Sequence, residues 1–279
     1  MLGSIQRHWP EYLMEAVGLG LFMVSACAFA TLLEYPHSPV RQALGDPRVR
    51  RVLMGLAMGA TNVALIYSPW GKRSGAHFNP AVTLSFLRLG KVARWDAAFY
   101  VAAQFAGAVA GVMVAAAMLG PHLADPPVRY AITQPAGYGA GVAFLAEFII
   151  AFLLMSAVLP LSNTARLARF TGLCAAALVA TYISVEAPFS GMSLNPARSF
   201  AAALPARAWM LLWVYFTAPP LAMADSRGAV SPPTRRCQHL LRKTASSELT
   251  ALHFLRAPAQ SRRRVAACTR VRTPHASGG

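Results

Sequence analysis

Residues 74–86 read S-G-A-H-F-N-P-A-V-T-L-S-F, and residues 190–200 read S-G-M-S-L-N-P-A-R-S-F. At a constant offset the two share Ser, Gly, Asn, Pro and Ala, so the chain carries an internal repeat. Proline has a fixed φ and no N–H, which suits the first position of a helix, and asparagine is a favoured cap just before it. Each copy therefore predicts a loop that turns sharply into a short helix, with Asn79 and Asn195 at the two helix mouths. Alone, an Asn-Pro pair is an ordinary capped helix. Both copies here lie between long apolar segments, and that changes their meaning.

Outward from the first copy, apolar spans are expected at about 12–33, 52–67 and 95–119, with the half-helix ending near Leu89. Around the second copy they are expected at about 139–159 and 170–185, with the half-helix ending near Leu204. Small residues (Gly55, Ala57, Gly59 and Ala60, then Gly107 and Gly111) mark faces where helices approach closely. Gln104 reads as a hydrogen-bond partner between helices rather than a pore residue. Each half reads span, span, re-entrant half-helix, span, with one acid, Glu15 or Glu147, in its first span. An odd number of full spans per half inverts the second copy relative to the first. The expected fold is an all-α membrane protein: an inverted-repeat bundle of about six transmembrane helices plus two re-entrant Asn-Pro-Ala half-helices.

Composition supports a multi-pass membrane protein. Hydrophobic residues make up 56% and charged residues 13%, and the mean hydropathy is +0.43. The first apolar run is long and lacks a small-residue cleavage site, so it is expected to be a retained span. The four cysteines are scattered, with neither metal-ligand spacing nor a disulfide framework. The net charge of +16 would suggest nucleic acid until it is located: residues 225–279 hold eleven Lys/Arg against Asp225 and Glu248. The rest is spread over loops, where basic residues speak of topology and lipid headgroups. Their distribution favours a cytoplasmic N-terminus in the cell membrane.

The sixth span is the weak element. Residues 208–224 are apolar but short, are interrupted by Pro219-Pro220 and stop at Asp225. Residues 1–224 are expected to form one channel domain, with repeats at about 11–120 and 139–224, and 225–279 a basic disordered tail. That tail fits either a genuine extension or a shifted reading frame.

Two inverted half-helices would meet N-terminus to N-terminus near the midplane, each presenting a positive dipole end and an asparagine amide. A file of water oriented by two such donors would pass, while cations and protons meet an electrostatic barrier. Arg198, one turn beyond Asn195, adds a fixed positive charge. Nothing here requires a covalent step, a cofactor or a metal, and the reading is not an enzyme. An ion-coupled transporter would be expected to place an acid beside the Asn-Pro loops. None occurs between Lys72 and Leu89 or between Phe189 and Leu204. A non-conducting protein with an incomplete sixth span is the remaining alternative.

The doubled S-G-x-x-x-N-P-A, with A-H before the first Asn and A-R-S-F around the second, resembles the major intrinsic proteins, the aquaporins and glycerol facilitators. The resemblance covers residues 11–218. It implies that Asn79-Pro80-Ala81 and Asn195-Pro196-Ala197 are the paired signature motifs at the pore centre. It makes Arg198, Met192 and Ile183 members of the outer constriction, with Gly59 or Met58 as the fourth. Glu15 and Glu147 would brace the re-entrant loops, and His77 would line the inner vestibule. Ser199-Phe200 after the second motif resembles the water-channel branch, whereas Ile183 in place of a histidine would admit slightly larger neutral solutes such as glycerol. The resemblance also implies a homotetramer in the lipid bilayer.

Overall fold

In a computed structural model, residues 1–226 are described; the tail expected at 225–279 lies outside them from residue 227 onward. The main helices are α1 (Leu2–Glu34), α2 (Pro47–Tyr67), α3 (Pro80–Arg88), α4 (Arg94–Leu119), α5 (Gly139–Asn163), α6 (Thr171–Val185), α7 (Pro196–Ala206) and α8 (Leu212–Asp225). No strand occurs among the described residues. Among the described residues five helices are long and apolar enough to cross a membrane: α1, α2, α4, α5 and the stretch Ala168–Val185 that ends with α6. The sixth, α8, has 14 residues. At 1.5 Å per residue it reaches roughly 21 Å, short of the ~30 Å hydrocarbon core.

Two boundaries differ from those read in the sequence. α1 begins at Leu2 rather than near residue 12, adding about three turns before the first span. α2 begins at Pro47, not Val52, so Arg48, Arg50 and Arg51 lie inside a helix rather than in a loop. Asp46 caps that helix, its carboxylate accepting from the Arg48 N–H at 2.7 Å. Arg50 is buried because all its charge is matched. Its guanidinium bonds both Glu34 carboxylate oxygens (3.1 and 3.2 Å) and the carbonyls of Leu44 and Gly45 (2.8 and 2.9 Å). Arg50→Ala leaves Glu34 without its partner and is expected to destabilise by about 3 kcal/mol. That is the low end for a buried pair, because Glu34 is still partly exposed. A fall in melting temperature of the detergent-solubilised protein is the readout.

α1 packs on α4, α2 on α6, and α5 on α8. Each half-helix leans on the third span of the other half: α3 on α8 and α7 on α4. The α1–α4 seam is backbone against backbone. A Cβ at Gly107 or Gly111 would overlap the carbonyl oxygens of Ala16 or Gly20, so only glycine lets these helices come together. Around that seam Leu19, Met23, Cys27, Ala108, Val112 and Ala115 form a buried core that reaches Ala197, Ala201 and Ala202 of α7. A second core joins α3, α5, α6 and the 192–194 loop. The two half-helices are thus wedged between the spans with their N-termini facing each other.

Candidate functional site

The site is built by two loops of the same backbone shape. Gly75 and Gly191 open them in the left-handed region (φ 91° and 87°). Then Ala76 and Phe78 in the first loop, and Met192 and Leu194 in the second, also take positive φ (49°, 44°, 50° and 60°). Left-handed backbone costs a non-glycine residue ~1–2 kcal/mol, so each loop needs something to hold it.

A buried carboxylate does so in each case. Glu15, with no exposed surface, accepts from Ser74 Oγ (2.8 Å), from the N–H groups of His77 (3.0 Å) and Phe78 (2.6 Å), and from Gln104 Nε2 (2.8 Å). Glu147, equally buried, accepts from Ser190 Oγ (2.8 Å) and from the N–H groups of Ser193 (2.6 Å) and Leu194 (2.8 Å). With two loop N–H groups committed to each carboxylate, the alternating backbone carbonyls are left for the opposite side. Tyr100 Oη donates to the Ser74 carbonyl (2.7 Å), and Tyr215 Oη likewise to Ser190.

The two asparagines lock the loops together. Asn79 Oδ1 accepts from the Ala81 N–H (2.8 Å), and Asn195 Oδ1 from those of Ala197 (3.0 Å) and Arg198 (3.2 Å). These bonds cap α3 and α7 and fix which way each amide faces. Asn79 Nδ2 then donates across the junction to the Leu194 carbonyl (2.8 Å), and Asn195 Nδ2 to that of Phe78 (2.7 Å). An amide nitrogen carries two hydrogens. One is spent on the opposite loop, and the other remains to face the cavity.

A cavity of about 2030 Å³ runs up to this junction. Its wall includes His77, Phe78, Asn79, Met192, Asn195 and Arg198 at depth, and Lys72, Arg73, Arg88, Lys91 and Arg169 nearer the mouth. Glu11 and Asp96 share the mouth, Glu11 paired with Arg73 (2.9 Å) and Asp96 with His8 (3.1 Å). His77 stacks on Phe86 (centroids 4.9 Å apart) and lies 3.1 Å from Thr83 Oγ1 through Nδ1. The Arg198 side chain carries a buried Nη1 without a hydrogen-bond partner among the described residues.

Of the expected constriction residues, Met192 and Arg198 are in the cavity wall. Ile183 packs against the core of α3, α5 and α6. Gly59 faces α6, where an added Cβ would lie 3.1 Å from both the Ala176 oxygen and the Ala180 Cβ. Its neighbour Met58 is buried, 1% exposed. The sequence did not single out Tyr100, Tyr215 or Thr133, whose hydroxyls tie the loops from behind, Thr133 through Ser199. The signal for the tyrosines was present: each stands in the third span of its half. Glu186, buried beside the second loop, was also missed.

Comparison with known proteins agrees with this architecture. The Major intrinsic protein family profile matches residues 3–224. Aquaporin NIP1-4 of Oryza sativa subsp. japonica is 34% identical over 167 residues, 60% of this chain and 59% of that protein. Aquaporin NIP2-2 of Zea mays is 33% identical over 204 residues, 72% of this chain and 67% of its own. The chain spans less than two thirds of the length of the first curated relatives it matches. The X-ray structure of the aquaglyceroporin from Plasmodium falciparum superposes with a TM-score of 0.63 at 20% identity, covering 78% of this chain and 93% of that one, a likeness of fold. With its apolar helices and paired Asn-Pro-Ala loops, this multi-pass membrane protein belongs to the major intrinsic protein family.

Proposed function

We propose that the chain forms a passive transmembrane channel for water and small neutral solutes such as glycerol, in the cell membrane as a homotetramer with a cytoplasmic N-terminus. The observation that carries this reading is the cavity leading from a basic mouth to two crosswise-fixed asparagine amides, with Arg198 beside them. At that point a water molecule finds two N–H donors, two helix N-termini and a guanidinium. All favour its oxygen and repel a cation. Asn79, Pro80, Ala81, Asn195, Pro196 and Ala197 form the junction; Arg198, Met192 and Ile183 set the width beyond it. Glu15 and Glu147 hold the loops, and His77 lines the inner approach. No covalent step is involved. The names of the aligned relatives, aquaporins all, point the same way.

Stopped-flow osmotic shrinkage of proteoliposomes carrying the full chain tests the reading. Water flux well above bare lipid, with weak temperature dependence, is expected. Asn195→Asp replaces a donor by a charge and is expected to slow water about tenfold, the equivalent of about 1.4 kcal/mol on the barrier. Arg198→Ala is expected to raise glycerol entry and admit cations. Flux no faster than bare lipid from inserted protein would sink the channel reading and leave the family membership standing.

A further inference from the structure

The two loop braces are alike except at one point. Among the described residues Glu15 receives four hydrogen bonds and Glu147 three. The difference is Gln104, one turn after Tyr100 on α4. One turn after Tyr215 on α8 stands Pro219, which has no side-chain donor. The second brace is one donor short.

Glu186 stands beside that shortfall. It follows the last residue of α6, precedes the single turn Ala187–Ser190, and is 9% exposed. Among the described residues neither of its carboxyl oxygens has a hydrogen-bond partner. The nearest donors are the hydroxyl and N–H of Ser190, and that hydroxyl's one proton already goes to Glu147. An ionised Glu186 would therefore be a buried charge with only the Ser190 N–H near it as a donor, close to a second carboxylate. A protonated Glu186 is itself a donor, and Ser190 Oγ, which accepts from the Met192 N–H (3.0 Å), still has one lone pair to receive it. The first loop has no such group: four residues before Ser74 stands Trp70, half-exposed.

We propose that protonated Glu186 is the missing donor of the second brace, giving its proton to Ser190 Oγ while Ser190 gives its own to Glu147. Loss of that proton to solvent removes the bond and sets two negative charges on either side of one serine. The loop that carries Met192 and Arg198 then loosens. Glu186 is thus a positioning residue, acting on the constriction through Ser190. The charged and titratable groups around it are Glu147 on α5 and Tyr215 on α8; Arg198 on α7 offsets the charge of Glu147. Burial, and Glu147 beside it, push the Glu186 carboxyl up to about 7. Because the folded state holds the proton more tightly than the unfolded chain, this contribution is complete at low pH and is lost as pH rises through about 7.

The flux arm of the test rests on the channel reading; the stability arm does not. Melting temperature in detergent and osmotic water flux in proteoliposomes are measured on the full chain at about pH 6 and pH 8, one unit either side of the midpoint. For the unmodified chain, flux is expected to fall severalfold and the melting temperature by about 3 °C on going to the higher pH. Glu186→Gln keeps an N–H donor at all pH, as Gln104 does in the first repeat, and should hold the low-pH values throughout. Glu186→Ala, which lacks both the bond and the charge, should lose the pH dependence and melt between the low-pH and high-pH values of the unmodified chain. A melting temperature that keeps its pH dependence in Glu186→Gln, or has none in the unmodified chain, overturns the proposal. The stability pattern without flux in any variant would uphold the brace and sink the channel reading.

Discussion

Glu15→Ala is expected to yield no monodisperse protein after detergent extraction, or protein melting more than about 10 °C below the unmodified chain. The substitution strips partners from four donors at once: Ser74 Oγ, the N–H groups of His77 and Phe78, and the amide of Gln104. A buried donor left unsatisfied costs about 1–3 kcal/mol. Four such losses rival the ~5–15 kcal/mol by which a folded domain is stable. Ala76 and Phe78 would at the same time lose the contacts that hold them in the left-handed region. The carboxylate stabilises the loop although its own burial is expensive, because removing one partner of a satisfied buried network exposes every other member. Glu15→Gln preserves shape but offers an N–H where an acceptor is needed, so an intermediate loss is expected. Glu147→Ala strands three donors rather than four and should be somewhat milder. An unchanged melting temperature for Glu15→Ala would show that the loop holds itself.

The sequence displayed what repeats and what is apolar. The doubled Asn-Pro-Ala stretch placed both half-helices to within a few residues, and the long apolar runs located the five spans. The two acids stood out as charges in apolar spans, and the family resemblance supplied their role as braces. What stayed hidden depends on contacts far apart in sequence. The bonds from Asn79 to Leu194 and from Asn195 to Phe78 join residues with no local pattern linking them. Arg50 looked like a loop charge because its partners, Glu34 and two carbonyls, come together only when the chain turns back. Gly59 and Met58 were equally placed by counting. Only the approach of α6 shows that the glycine serves helix packing. Glu186 lies at the end of an apolar run, where an acid ordinarily meets water; nothing local reveals that the fold buries it.

Gly107→Val is expected to be as damaging as the loss of Glu15, for a reason tied to the same network. The atoms a Cβ would strike at position 107 are the oxygen, carbon and Cα of Ala16, all backbone, so no side chain can swing aside. Overpacking a core with side chains costs typically ~1–3 kcal/mol. Backbone contact leaves only one remedy, separation of α1 from α4. Ala16 follows Glu15, and Gly107 lies one turn beyond Gln104, so the separation pulls apart the 2.8 Å bond between Glu15 and Gln104. It also opens the core of Leu19, Met23, Ala108 and Val112 on which α7 rests. The seam and the first brace therefore fail together, and Asn195 loses the platform that aims it. Gly45→Val is the control, because nothing lies within 4 Å of a Cβ there. It should extract and melt like the unmodified chain. Recovery of Gly107→Val with a normal melting temperature would mean that α1 and α4 are not held at the separation seen here. The loop geometry that depends on that separation would then lose its support.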